Sequence, residues 1–516
     1  MRALLLGCLL ALGCSSRQEP VSAPRPTSWQ PEILSPASSV ALPDFSYAGY
    51  RWGEAAPPVL APSLDVRDFG ALPDDGIDDT EGLRRAIAAA RGVALRLPRG
   101  RYELSDILFI EQSGLVLQGE GSGAGGTVLA VTRALESMTR PQVIDELVRY
   151  LAANDKKVHG RPFSPFSWTG GVLWVRAPRA AEERLGRALD GRRGEHELVL
   201  EGPPEIAAGT RVQLRWRNPF GARSAVLEHI YGLSGSIAGA RLSEAENPIV
   251  TQDVTVLAIE GSTLRIKEPL LHDLRPGWNA DVVRSRRLEG VGIEHLAIEF
   301  PDVPYGGHHQ EAGYNGLYLT GVSHGFVRDV VVSNADSAVL SDDSDHVSLE
   351  GVTVRGRPGH YGLHFGSVHG FLARDFRIEA ELFHSLSFNT RATASVFTSG
   401  MVHHARLDQH RGANHQNLFD AIDAREASAE PALFEHGGAS YWGPTAAALN
   451  VFWNIRLELP AGTQKALLGG VDDAGPARIV GLHGSAPLEL VYPNAYVEGL
   501  NRPGLAVPSL YAYQLA

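Results

Sequence analysis

Cysteine is almost absent from this chain of 516 residues: Cys8 and Cys14 are the only two, both within the first fourteen positions. The rest of the chain therefore has no disulfide and no thiolate metal site. Roughly 450 residues bury enough apolar surface to do without such staples. No stretch after the leader approaches the about 20 consecutive apolar residues that a membrane-spanning helix requires. Basic residues are the minority, 47 against 59 acidic, and the net charge of −12 argues against nucleic acid as a partner. It leaves an anionic glycan open, because local charge decides binding.

The chain opens with Arg2, an apolar run over residues 3–12, and then Gly13, Cys14, Ser15 and Ser16, which read as a secretory signal. Cys14, after Ala11, Leu12 and Gly13, resembles the cysteine of a bacterial lipoprotein box. That resemblance implies a signal peptide over residues 1–13, acylation of Cys14, and a lipid anchor in the bacterial cell envelope, at the outer membrane or cell surface. An ordinary cleaved signal peptide is the alternative. Residues 14–60 are rich in Pro, Ser and Ala and read as a tether.

Residues 65–90 carry the most specific pattern. A short strand pattern at Leu64 and Val66 leads through a glycine turn and an acidic loop into an amphipathic helix, with Leu83, Ile87 and Ala90 on one face. Asp79 or Thr80 is placed to cap that helix. Such a helix would cover the open end of a stack of strands. Asp68, Phe69, Gly70, Ala71, Asp74, Asp75, Gly76, Asp78, Asp79, Thr80, Ala86 and Ile87, followed by Pro98, Arg99, Gly100 and Tyr102, resemble the entry segment of the pectate-lyase-like superfamily. The resemblance implies a right-handed parallel β-helix that cleaves or binds polysaccharide. It says little about the reaction, because the segment is a cap.

A repeat of roughly 22–24 residues, the length of one solenoid coil, supports the same architecture independently. Strand starts align at Gly316, Ala338, Gly362, Leu386 and Leu418, and a second set aligns over 326–332, 347–354, 371–378 and 396–402. The fold class expected is all-β, a parallel β-helix with an N-terminal capping helix and a small antiparallel β insertion. The entry occupies 61–193, the insertion 194–285, and the central coils 286–428. Residues 429–516 supply the C-terminal coils and cap. Residues 133–155, without glycine and with spaced apolar positions, read as helical and broken at Pro141.

Polar residues gather two positions before each strand start, at Tyr314, Asp336, His360, His384 and Gln416. Coils stacked about 4.8 Å apart would bring Asp336, His360 and His384 into a ladder. A stacked polar turn is the bland reading. Two long loops, 301–315 and 405–417, swell at this corner, and long loops on a rigid scaffold are where binding and catalysis concentrate. Twelve of the nineteen histidines fall between Pro301 and Asp420. His324, His346 and His369 sit at the opposite turn and are assigned to structure, while His403 and His404 are left open. His360, Tyr361, His384, His410 and Arg411 are the catalytic candidates. Tyr314, Asp336, His364, Arg391, His415, His308 and His309 are candidates for binding substrate.

These residue types suit β-elimination of a uronate-containing glycan. The proton beside a carboxylate becomes acidic only when that charge is neutralised, so a cation, a base and a proton donor are needed. Arg411 or Arg391, His384 or His360, and Tyr361 or Tyr314 could fill those roles. The rival is hydrolysis, in which Asp336 with Asp420 or Asp408 is the best carboxylate pair on offer. A third reading is a polysaccharide-binding protein without catalysis, with Tyr305, Tyr314, Tyr318, Tyr361 and Trp442 as stacking platforms. No cofactor is required. Calcium on Asp342, Asp343, Ser344 and Asp345 is conceivable, as is zinc on His360, His364 and His384. The partner expected is an anionic polysaccharide.

Overall fold

The computed structural model describes residues 28–516 apart from 219, 222, 236, 238–247, 427, 435, 438–442 and 470–473. Cys14, the signal peptide and Trp442 therefore lie outside the described residues.

The repeat is realised as parallel strands stacked coil upon coil. Leu108–Ile110, Leu173–Arg176, Asn315–Thr320, Ser337–Asp342, Gly359–Gly366, Leu382–Asn389, Leu407–His410 and His436–Gly437 form one parallel sheet in that order. A second, larger sheet of 20 strands wraps the remaining faces, with Gly292–Glu299, Phe326–Ser333, Ser348–Glu350, Leu372–Arg374, Val396–Thr398, Leu418–Asp420 and Val451–Trp453 rising in parallel. Every second side chain points inward, which stacks apolar residues along the axis. Phe365 lies on Phe397 at 4.3 Å, and Phe397, Phe419 and Phe452 continue the column at 5.7 and 5.2 Å between ring centroids.

The helix Thr80–Ala89 closes the lower end with Leu83, Ala86 and Ile87 buried. Its start differs from the expected cap. Asp79 makes no capping bond; its carboxylate accepts from the Leu72 and Glu103 backbone N–H groups, tying the acidic loop to the first coils. Asp78 instead accepts from the Thr80 N–H.

Residues 28–60 are not a free tether. Trp29, Ile33, Phe45 and Ala48 are buried against Leu372, Val396, Leu418, Val451 and Trp453 on the outside of the large sheet. The C-terminal helix Leu510–Leu515 completes that layer, with the Leu510 N–H donating to Asp420.

A closed antiparallel barrel of six strands interrupts the solenoid: Arg184–Asp190, Glu197–Leu200, Arg211–Arg217, Pro248–Glu260, Thr263–Ile266 and Ala280–Arg284. It starts at Arg184, before the boundary at 194 read from the sequence. It has its own core around Val212, Leu214, Trp216, Val254 and Val282. At its seam with the coils, His324, His346 and His369 stack at 5.4 Å intervals beneath Trp52, and Arg211 donates to both His324 and Asp345.

Candidate functional site

Neighbouring coils place side chains of equal register above one another. In the eight-stranded sheet Ser337 pairs with Tyr361 and Tyr361 with His384. A parallel column runs from Tyr318 through Leu340, His364 and Ser387 to Asp408. These columns form the floor of a cavity of about 680 Å³ lined by Tyr318, Tyr361, His364, His384, Asn389 and His410. The helix Gln142–Ala153 roofs it with Val143, Leu147, Tyr150 and Leu151, and Phe163, Trp168, His308 and His309 close one side. Arg411 and Lys156 bring positive charge to its wall.

The rings are in contact. Tyr361 stacks on His384 at 4.8 Å and meets His364 edge-on at 4.7 Å, and His384 meets His410 at 4.9 Å. His360 lies behind this surface, fully buried, 4.6 Å from His308 and 5.2 Å from His384. Two carboxylates stand behind the imidazoles. Glu311 Oε1 is 3.0 Å from His360 Nδ1, and Asp408 Oδ2 is 3.2 Å from His384 Nδ1.

Burial governs the protonation of these groups. Desolvation lowers His308 to about 4 and His364 to about 3, and it also holds His410 below its ordinary value against the pull of Asp408. Burial alone would raise Asp408, but His384 and His410 beside it outweigh that and hold it well below the usual carboxylate range. Asp342 is exposed where it opens onto the cavity, and crowding by neighbouring groups, then Asp343, push it up to about 6.

His308, His309, Tyr361, His364, His384, His410 and Arg411 thus line one cavity, with His360 directly behind it. Four residues expected there are elsewhere. Asp336 accepts from the Gly313 and Tyr314 backbone N–H groups and from Arg357, so it holds the turn before its neighbouring strand. Tyr314 packs edge-on against Phe300. The expected ladder of Asp336, His360 and His384 is out of register, because His384 pairs with Tyr361. His415 belongs to the barrel seam, its Nε2 2.6 Å from that of His272. Arg391 donates to the Pro248 carbonyl, beneath the cavity wall.

The carboxylate pairs considered for hydrolysis do not converge either. Asp420 binds Thr398, Ser509 and the Leu510 backbone on the other sheet. The acidic run does not fit a calcium ion, because Asp343 and Asp345 are taken by Arg287 and Arg211 and Asp342 points to the cavity. His404 lines a separate recess with Tyr305, Phe383 and Glu426. Glu311 and the aromatic wall of Phe163 and Trp168 were not singled out from sequence. Glu311 shares the long loop that carries His308 and His309, which was its one signal.

A second cavity of about 900 Å³ shares Val143, Tyr318 and Asp342 with the first. Its wall carries Arg176, Arg179, Arg215, Arg284, Arg286 and Arg287 against Glu111, Glu182, Asp342 and Asp343. Each of these arginines is ion-paired within the protein, to Glu111, Glu146, Glu182, Glu183 or Asp343.

No protein-family model matches the chain, and no curated protein matches it. Among solved structures it is similar to the tailspike gp61 of Pseudomonas phage phi297, with 13% identity, a TM-score of 0.50, and coverage of 85% of this chain and 81% of that one. The fold is a right-handed parallel β-helix. The tailspike gp49 of Pseudomonas phage LKA1 is also similar, at 14% identity and a TM-score of 0.47 over 85% of this chain and 77% of that one. The A-module of the Azotobacter vinelandii mannuronan C-5 epimerase AlgE4 is similar at 11% identity and 0.31 over 85% and 100%. At these identities the likeness to the β-helix proteins concerns the scaffold.

Proposed function

We propose that this chain is a carbohydrate-active enzyme that takes an acidic polysaccharide into the two joined cavities and cleaves it by β-elimination. The observation that carries the reading is one chamber that combines imidazoles kept neutral by burial, a phenol and a cation, reached from an arginine-lined cavity. Arg411, with Lys156, neutralises the uronate carboxylate. His410 takes the proton from the carbon beside it. The electron pair forms a C=C bond as the adjacent C–O bond breaks, and the Tyr361 hydroxyl donates its proton to the leaving oxygen. Asn389 donates to the Tyr361 oxygen at 3.4 Å and orients it. His384, stacked on Tyr361, fixes the ring.

Likeness to tailspike proteins supports the scaffold for a glycan partner, and one such relative is a complex with an Acinetobacter baumannii capsular saccharide. Incubation with a panel of uronate polysaccharides tests the reaction. Elimination leaves an unsaturated uronate that absorbs in the ultraviolet. New reducing ends without that chromophore would instead mean hydrolysis, for which Asp342, held near 6 on the chamber wall, is the available acid. Binding with no shortening of any chain would leave a binding protein. We place the protein in the bacterial cell envelope on a lipid anchor at Cys14; Cys14→Ser should abolish metabolic labelling with a fatty acid.

A further inference from the structure

We propose that His308, His360 and His384 bind one divalent transition-metal ion of the zinc class at the wall of the cavity. One ring nitrogen from each lies within 4.8 Å of the other two. Tetrahedral binding at 2.0–2.1 Å brings such nitrogens roughly 3.3 Å apart, so small rotamer changes suffice. The three come from separate elements: the 301–315 loop, the strand Gly359–Gly366 and the strand Leu382–Asn389. Two of the three are thus fixed on the rigid sheet.

The surroundings of these rings favour ligation over simple aromatic packing. His360 and His384 each have a carboxylate close to Nδ1, Glu311 at 3.0 Å and Asp408 at 3.2 Å. Neither Nδ1 is aligned with its carboxylate as a hydrogen bond, but a small ring rotation would let each donate to it and present the Nε2 lone pair to a metal. Both carboxylates are themselves anchored. Glu311 accepts from the Tyr305 hydroxyl, the His309 N–H and the Ser167 hydroxyl, and Asp408 accepts from Ser387. Both ring nitrogens of His360 are buried and make no hydrogen bond, a cost that a metal at Nε2 and Glu311 at Nδ1 would together remove. Phe383 stacks on His308 at 4.6 Å and fixes the third ring.

Glu311 with His309 and His360, and Asp408 with His384 and His410, also satisfy the distance requirement. The set of three histidines is preferred because it leaves each carboxylate behind an imidazole, where it orients and strengthens the ligand. Three protein ligands leave a fourth position facing the cavity, the pattern of a site that meets a substrate or water. An imidazole set suits Zn²⁺, Co²⁺, Ni²⁺ or Cu²⁺ better than Ca²⁺ or Mg²⁺.

Titration of the full chain with Co²⁺ and then Zn²⁺ tests this without reference to activity. The expected result is one Co²⁺ per chain with visible bands of tetrahedral intensity, displaced by Zn²⁺, and X-ray absorption showing imidazole scattering. His308→Ala, on the loop, should weaken binding at least tenfold while leaving the circular dichroism unchanged. Glu311→Gln should weaken it about 10–100-fold. His364→Ala, on the same floor, should leave it intact. Substoichiometric binding by the native chain, or equal binding by native protein and His308→Ala, would overturn the assignment. Failure of the lyase assay leaves it untouched, and loss of metal binding leaves the elimination reading to stand on its own assay.

Discussion

Acidification should unfold this protein early, through the histidines at the barrel seam rather than through its carboxylates. His346, His369 and His415 are lowered to about 3 and His324 to about 2, in each case chiefly because burial disfavours the charged ring. Arg211 adds repulsion on His324 and His346, while Asp345 and Asp253 pull the other way. Unfolded, each ring titrates near 6.5. Between about pH 6.5 and 3 the unfolded chain therefore binds the extra protons, and stability falls as pH falls. Above 6.5 these groups contribute no pH dependence. The slope is about 1.4 kcal/mol per pH unit for each histidine, so four of them cost about 8 kcal/mol by pH 5. Asp79 and Asp420, pushed up to about 6 mainly by burial, oppose this, since the folded state holds their protons between about pH 3.8 and 6. They return about 3 kcal/mol at pH 5. These six groups together lose about 5 kcal/mol, comparable with the whole stability of many domains; the buried cavity histidines His308 and His364 add to the loss and Asp342 opposes it.

His369→Gln isolates one member of the stack. Its Nδ1 is 3.0 Å from the Thr393 hydroxyl, a contact that glutamine can also make. Urea unfolding followed by fluorescence from pH 7 to pH 5 should show the variant losing about 2 kcal/mol less than the native protein over that interval. The exposed His159→Gln serves as control and should follow the native curve. Equal pH dependence for all three proteins would refute the argument, whatever the absolute stabilities.

Arg211→Leu leaves Asp345 buried with one cationic partner fewer and should destabilise by about 3–5 kcal/mol, against under 1 for a surface arginine such as Arg99. Phe397→Ala opens the aromatic column and should cost about 3–5 kcal/mol in urea unfolding without moving the cavity floor. Tyr361→Phe keeps the stack on His384 but removes the proton donor. Product formation should fall by about 10²–10⁴ with glycan binding retained, and an unchanged rate would exclude that role.

The solenoid was legible before any coordinate because its physics is local and repeated. Alternating apolar residues at a constant period have one way to bury themselves, and the helix 80–89 carries the pattern of a cap. Period counting also singled out His360 and His384, and the histidine-rich loop 405–417 added His410; the coils bring the three together. It failed by one residue where Gly359–Gly366 meets Leu382–Asn389, so Tyr361 rather than His360 aligns with His384. It misplaced Asp336, and the density of histidines misplaced His415, because neither register nor composition says which partner a side chain takes. Residues 28–60 look like a linker by composition, yet Trp29 and Phe45 find an apolar strip on the large sheet.

Composition, period and the entry segment by themselves determined a parallel β-helix without disulfides and with histidines massed in its central coils. Only the tertiary structure decided that the helix Gln142–Ala153 roofs those coils into a chamber and that arginines from the barrel line the adjoining cavity. It likewise decided that Glu311 and Asp408 stand behind His360 and His384. The reason is physical. A repeat encodes contacts between one coil and the next, whereas a site is made where segments distant in sequence meet, and their meeting depends on shape and charge that no single segment carries.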